Sequence, residues 1–119
     1  MHLFVKLWKP RPAWLSLGLE DRQKYIQKAQ QGMIKVSEIG LETIAWFKID
    51  PLDPDVATGY HYCSLYKTKD ESHVAEFHKA MKEFQWYDYF EQVNATGEGK
   101  GPGAILEDLL KLPQEKTTA

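Results

Sequence analysis

The chain has 119 residues, a formal net charge of −2 and one cysteine, and 13% of its residues are aromatic. This length predicts one domain with its own hydrophobic core. The charge excludes the strongly basic surface that nucleic-acid binding requires, and one cysteine can form neither an internal disulfide nor an all-cysteine metal site.

The N-terminal segment has the pattern of neither a signal peptide nor a membrane helix. Lys6, Lys9 and two prolines interrupt its apolar run. No stretch of the chain approaches the roughly 18 apolar residues of a membrane helix. With a single cysteine, this favours a reduced, cytoplasmic setting without membrane association.

The first half of the chain predicts a strand, a long helix and a second strand. Residues 2–9 are rich in β-forming types and stop at Pro10. An apolar loop follows, which either packs on the core or forms a lid over a cavity. Residues 19–38 carry apolar side chains at helical spacing, and Gly40 is suited to end that helix. Residues 41–49 then predict strand two.

The second half repeats this order. Residues 59–68 predict strand three, and Asp70 is suited to cap a helix over 71–85. Residues 86–95 are aromatic and β-branched, which predicts strand four. A glycine-rich link then precedes a short amphipathic helix at 104–112 and a polar tail.

The predicted order, β-α-β-β-α-β, is that of a ferredoxin-like α+β domain with a four-stranded antiparallel sheet. We assign residues 1–96 to this domain and residues 97–119 to the link, the short helix and the tail.

This order and length resemble the dimeric α+β barrel group. That group includes antibiotic-biosynthesis-type monooxygenases, haem-degrading relatives, EthD-like proteins and stress-responsive barrel proteins. The resemblance covers residues 1–96 and implies a homodimer, in which two sheets join into one barrel with the helices outside. It also implies that activity without metal or flavin is feasible. No cofactor motif is evident, and we predict no cofactor.

The strands give an independent reason to expect a partner. Both alternating faces are apolar: in strand two, Ile44 and Trp46 oppose Ala45 and Phe47. Two helices can cover only one face of a four-stranded sheet. We therefore expect both faces to be largely buried, the second one by another copy of the sheet.

The segment GYHYCSLYK places His61 and Cys63 on one strand face. Residues two apart on a strand lie roughly 6.5–7 Å apart, which disfavours a Cys–His nucleophile pair. We expect Cys63 to be an inert buried thiol. We expect His61 to be buried and hydrogen-bonded, with a pocket-lining role as the alternative.

His78 lies at the edge of the inward-facing apolar stripe of helix two. The simplest interpretation is a histidine at the helix edge with one face exposed to solvent. The resemblance to haem-degrading relatives implies a haem-ligating histidine on this helix, together with an asparagine and a tryptophan. Trp46 or Trp86 could supply the ring, but strand one contains no asparagine.

Three other sequence features do not indicate a functional site. Asp50, Asp53 and Asp55 are interrupted by prolines and predict a solvated turn rather than a calcium loop. The four histidines lack close pairing, so we predict no metal site. The link G-K-G-P-G-A lacks the βαβ unit that a dinucleotide site needs, and we interpret it as a hinge.

The sequence favours a binding protein or cofactor-independent, oxygenase-like enzyme for an apolar or aromatic small molecule. The ligand would lie between helices and sheet, with His61 or His78 as the candidate base. The predicted lining residues are Phe4, Tyr25, Trp46, His61, Phe77, His78 and Trp86. The alternative is a non-catalytic homodimeric assembly module, and a third hypothesis is haem binding.

Overall fold

The computed structural model describes residues 1–51 and 53–115 and contains a four-stranded antiparallel sheet. The strand order is β2-β3-β1-β4. The strands are β1 (His2–Pro10), β2 (Glu42–Lys48), β3 (Tyr62–Thr68) and β4 (Phe90–Glu98). The helices are α1 (Pro12–Leu15), α2 (Leu19–Glu38), α3 (Ser72–Glu83), α4 (Trp86–Tyr89) and α5 (Pro102–Leu110). The predicted ferredoxin-like α+β fold is confirmed.

Strand alternation decides which side chains face the helices. Phe4, Lys6 and Trp8 share one face of β1, and their partners on β3 are Tyr66, Ser64 and Tyr62. The side chains of this face pack against α2, α3 and α4 in one aromatic-rich core. Its buried members are Phe4, Trp8, Tyr25, Val36, Leu41, Tyr66, Val74, Phe77, Met81, Trp86 and Phe90.

The other face of the sheet, here called the open face, is also apolar. It consists of Leu3, Val5, Leu7, Ala45, Phe47, Cys63, Leu65, Val93 and Ala95. None of these residues belongs to the core cluster, and only Cys63 among them is buried. Strand β2 is exposed at every position. Within the described residues, both faces of the sheet are apolar, as predicted, and the helices of a single chain cover only one of them.

Strands three and four begin three and four residues later than the sequence predicts, and strand four ends at Glu98 rather than at residue 95. Strand four begins at Phe90, because Trp86–Tyr89 form the helical turn α4. The turn follows Gln85, which takes a left-handed conformation with φ of 59°, and it buries the Trp86 indole. Strand three begins at Tyr62 rather than at residue 59, because the chain is still in the β2–β3 loop up to His61.

The helix predictions are closer. The predicted range of helix one, 19–38, is that of α2, and α3 lies within the predicted 71–85. The apolar loop after β1 contains the one-turn helix α1. Its Trp14 ring packs 5.0 Å from that of Phe90 and 5.7 Å from that of Tyr25, so this loop packs on the core.

The C-terminal part of the chain extends away from the core. Every residue from 93 to 115 is exposed, and α5 exposes Ile105, Leu106, Leu109 and Leu110. The radius of gyration is 17.7 Å, whereas a compact chain of this length has a value of about 13–14 Å. Helix α5 begins at Pro102, two residues before its predicted start. None of its side chains is buried, so it does not pack on the core of its own chain.

None of the helices in the described ranges combines the length and hydropathy that a bilayer crossing needs.

Substituting Gly40 by alanine is expected to destabilise the fold by about 1–3 kcal/mol. Gly40 connects α2 to β2 with φ of +100°, and an added Cβ would lie 2.8 Å from Cε1 of His73. Urea denaturation of Gly40→Ala measures this cost. Gly103→Ala is the matched control, since a Cβ there meets open space. Equal unfolding free energies for Gly40→Ala and wild type would contradict the prediction.

Candidate functional site

The most unusual group in the protein is the buried side chain of Lys6. Strand alternation places it between Phe4 and Trp8 on the helix-facing side of β1, where its exposed fraction is 1%. It belongs to a cross-strand row that runs from Trp46 on β2 through Ser64 on β3 to Lys6. Because serine is small, it leaves room above β3 for the long side chain of Lys6.

Four aromatic rings surround the Lys6 amine. Its Nζ atom lies 4.8 Å from the ring centre of Phe77, 4.9 Å from that of Trp86, 5.2 Å from that of Trp46 and 5.7 Å from that of Tyr66. These rings come from α3, α4, β2 and β3. The amine is therefore the point at which four separate elements of the fold meet.

No carboxylate among residues 1–51 and 53–115 forms an ion pair with Lys6. An ammonium ion without a partner is costly to bury. This burial lowers the pKa of Lys6 from the ordinary 10.5 to about 7. The π faces of the rings oppose the shift, since they favour the cation. Burial thus favours the neutral amine of Lys6 far more than solvent does for an exposed lysine.

A small cavity of about 20 Å³ lies beside the amine. We call it the Lys6 cavity, and it can hold about one water molecule. It is lined by Lys6, Ala29, Met33, Trp46, Tyr66, Phe77, Met81 and Trp86. Met33 and Trp46 are 39% and 37% exposed, and Ala29 is half-buried, whereas the other lining residues are buried. The cavity therefore approaches the surface between α2 and β2.

His78 shares this interior region with Lys6. It is half-buried on α3. Its ring centre lies 5.4 Å from that of Phe4, with the rings nearly perpendicular, and its Nδ1 lies 3.2 Å from the Tyr87 hydroxyl. Burial lowers the pKa of His78, and the charges of Lys6 and Lys82 lower it further. The site therefore contains two bases, an amine and an imidazole, that are both disposed to be neutral.

Hydrogen bonds hold the large rings of the site in place. The Trp8 indole donates to Ser64 Oγ at 3.1 Å, and the Trp86 indole donates to Gln92 Oε1 at 2.9 Å. Burial raises the pKa of Tyr66 to about 12, so its hydroxyl keeps its proton. The aromatic wall is thus rigid on the side of α4 and neutral throughout.

The structure brings five of the seven predicted lining residues together. Phe4, Trp46, Phe77, His78 and Trp86 all lie around Lys6 or in contact with its neighbours. Tyr25 lies elsewhere: its ring packs 4.8 Å from Tyr89, and its hydroxyl donates to the Phe84 carbonyl at 3.0 Å.

His61 is not part of this site. It is exposed and lines a separate depression of the β2–β3 loop together with Lys48, Asp50 and Tyr60. The expectation that His61 is buried is wrong, because it precedes the first residue of β3. Cys63 is buried on the open face, and its burial raises the pKa of the thiol, which agrees with an inert role.

The sequence prediction missed Lys6, although a signal for it exists. Lys6 is two residues from both Phe4 and Trp8, so any register that buries those rings also turns Lys6 inward. Lysine is nearly always exposed in folded proteins, so the general preference of this residue type argues against an inward position.

The candidate metal and haem ligands lie in different parts of the described structure. Among the described residues, no three His, Cys, Asp or Glu side chains converge on a common point. The predicted acidic turn has Asp53 accepting a hydrogen bond from the Asp55 amide at 3.0 Å, as in a solvated turn. The candidate haem ligand, His78, does not line the Lys6 cavity, and its Nδ1 lies 3.2 Å from the Tyr87 hydroxyl.

Solved structures with this fold are similar in shape but distant in sequence. A putative chlorite dismutase has a TM-score of 0.65 and 13% identity over 91% of this chain, which spans about half, 48%, of that protein. The protein At3g17210 of Arabidopsis thaliana has a TM-score of 0.58 and 16% identity over 85% of this chain and 97% of its own. A dabb family protein with a ferredoxin-like fold from Mesorhizobium loti has a TM-score of 0.52 and 15% identity, over 84% and 97% respectively.

These similarities confirm the predicted architectural resemblance to the dimeric α+β barrel group, and at such low identity they establish the fold alone. A search of the curated proteins finds no significant match. A family model does match, over residues 1–112. The chain therefore belongs to the family of unknown function DUF6616.

Proposed function

We propose that this protein is a homodimer that binds an apolar or aromatic small molecule in an enlarged form of the Lys6 cavity. One observation carries the proposal: a lysine that is 1% exposed lacks an ion-pair partner among the described residues and faces four aromatic rings. Such a group costs stability. Strongly perturbed titratable groups are concentrated at functional sites.

The chemistry of the cavity wall defines the ligand class. The lining side chains are apolar or aromatic apart from Lys6, whose amine is the one amine among them. A flat apolar molecule with one polar atom directed at Lys6 matches this pattern. A lysine with a pKa of about 7 is also suited to act as a general base at neutral pH, with His78 as a second candidate. An oxygenase-like reaction without cofactor would begin with such a proton transfer.

The ligand must widen the cavity, because about 20 Å³ holds no more than a water molecule. The wall between α2 and β2 is the part suited to move. Met33 is a flexible side chain there, and Trp46 belongs to β2, which is exposed along its whole length. A ligand would enter between these two residues and stack on the rings behind them.

The homodimer follows from the open face. Its nine residues form one contiguous apolar surface across all four strands. A second copy of the same sheet covers this surface in the simplest way, and the resemblance to the dimeric α+β barrel group implies the same arrangement.

A non-catalytic assembly module is the second candidate function. The small volume of the Lys6 cavity favours it, since a preformed pocket for a ligand is commonly 300 Å³ or more, about fifteen times larger. The protein would then act through its dimeric assembly alone, and the aromatic residues around Lys6 would serve only as the core of each chain.

Calorimetric titration with naphthol separates the two functions. We expect the wild-type protein to bind this aromatic probe, and we expect Met33→Trp to weaken binding by at least about tenfold, or 1.4 kcal/mol. The larger side chain would fill the entrance between α2 and β2. Ile34→Trp is the matched control, since the neighbouring residue is more exposed and does not line the cavity.

Equal binding to both variants would place the ligand elsewhere and contradict the proposed site. No binding to the wild-type protein would favour the assembly module.

A further inference from the structure

We propose that Lys6 forms an imine with the carbonyl carbon of an apolar aldehyde or ketone. This inference rests on the proposed function, because it assumes that the Lys6 cavity admits a ligand. It adds the functional group that the ligand carries and the covalent bond that it makes.

The geometry isolates the amine as a nucleophile. Nζ faces four ring systems at 4.8 to 5.7 Å, and the described residues provide no carboxylate that would hold it as an ammonium ion. A lysine desolvated in an apolar pocket is the form of this side chain that attacks carbonyl compounds. The lowered pKa of Lys6 agrees with this arrangement.

The step balances without a further reactant. The Nζ lone pair attacks the carbonyl carbon, and the carbonyl oxygen takes a proton from the nitrogen to give a carbinolamine. The second nitrogen proton then leaves with the hydroxyl group as water, and the C=N bond forms. The apolar wall disfavours the reverse reaction because it limits the access of bulk water.

A neutral carbonyl compound fits this wall better than an anion does. An anionic ligand would lose its hydration to gain one partner, Lys6, since the remaining lining side chains are apolar or aromatic. An aldehyde or ketone carries no charge into the cavity, and its ring or chain replaces apolar contacts with apolar contacts.

Reductive trapping with naphthaldehyde and cyanoborohydride at pH 7 tests the imine. Peptide mass mapping after short exposure shows which lysines carry the added group. We expect Lys6 to be labelled at least about tenfold faster than any other lysine. The fraction of neutral amine is roughly a thousandfold higher at a pKa near 7 than near 10.4, and the weaker nucleophilicity of the less basic amine offsets part of this gain.

Three variants control the experiment. Lys6→Met should abolish the fast labelling, whereas Lys9→Met should retain it, since Lys9 lies on the same strand and forms an ion pair with Glu91 at 3.3 Å. Met33→Ala should accelerate labelling, because it widens the entrance. The labelling rate of Lys6 should level off above about pH 7, whereas that of the other lysines should rise further.

The outcomes separate the imine from the binding site. Fast labelling of Lys6 that is lost in Lys6→Met supports the imine. Naphthol binding that Met33→Trp weakens, together with slow labelling of Lys6, would overturn the imine and leave the proposed function intact. Slow labelling without naphthol binding would overturn both.

Discussion

Replacing Lys6 by methionine should stabilise the folded protein by about 2–4 kcal/mol at pH 7. Methionine has a similar length and fills the same aromatic surroundings without a charge. The wild-type lysine must either lose its proton or remain an ammonium ion inside the core, and both cost free energy. The ring faces recover part of that cost, which is why the expected gain lies below the full desolvation penalty.

The same substitution should remove a pH dependence of stability. The folded-state pKa of Lys6, about 7, lies below its ordinary value of 10.5. Between these values the unfolded chain binds a proton that the folded chain does not, so stability rises with pH. One proton contributes about 1.36 kcal/mol per pH unit, so the free energy of unfolding should increase by about 2 kcal/mol between pH 7 and 9.

Urea denaturation at pH 7, 8 and 9 measures both effects. The pH-dependent difference between wild type and Lys6→Met isolates the lysine, because other titrating groups such as Cys63 are present in both proteins. Lys9→Met should retain the wild-type slope. Parallel pH dependences for wild type and Lys6→Met would show that Lys6 is charged and solvated, and would remove the basis of the proposed site.

A charge at the centre of the open face should dissociate the dimer. Leu65 pairs with Val5 on one side and Ala45 on the other, so its side chain lies in the middle of the apolar surface. In Leu65→Glu, the interface would bury a carboxylate without a partner. We expect the dissociation constant of the dimer to rise by at least about a hundredfold, or 3 kcal/mol.

Analytical ultracentrifugation measures this change. The wild-type protein should sediment at twice the chain mass of 13.8 kDa, and Leu65→Glu should sediment as a single chain. Ile34→Glu introduces the same charge at an exposed apolar residue of α2 and should remain a dimer. A monomeric wild type, or a dimeric Leu65→Glu, would contradict the proposed pairing of open faces.

Local sequence signals are sufficient to predict the order of the four strands and the three longer helices, but not the one-turn helices α1 and α4. The apolar side chains of α2 recur at helical spacing, and its predicted range agrees with the structure. The first three strands were found from β-forming composition with turn residues between them. These signals are local, so they can be evaluated without knowing what each segment packs against.

Strand four shows where local composition fails. The residues Trp86–Tyr89 have β-forming side chains, yet they form a helical turn. The left-handed conformation of Gln85 sets this turn, and the buried Trp86 indole fixes it through its hydrogen bond to Gln92. Both are tertiary effects, and β-propensity depends strongly on such context.

The candidate site depends on context for a related reason. Aromatic residues can be named from the sequence as candidates for a pocket wall, but the strand register that decides which face each one lies on is a property of the whole sheet. Lys6 was overlooked because burial of an unpaired lysine is rare. His61 is exposed because it is the last residue of the β2–β3 loop, directly before Tyr62, the first residue of β3.

Both the proposed binding site and the proposed imine depend on the protonation state of the Lys6 amine. An NMR titration of the protein labelled with carbon-13 at lysine Cε measures it directly, with the Lys6 signal assigned by its absence in Lys6→Met. We predict one lysine signal that titrates near pH 7, apart from all others. A Lys6 signal that titrates with the remaining lysines, near 10.4, would contradict it.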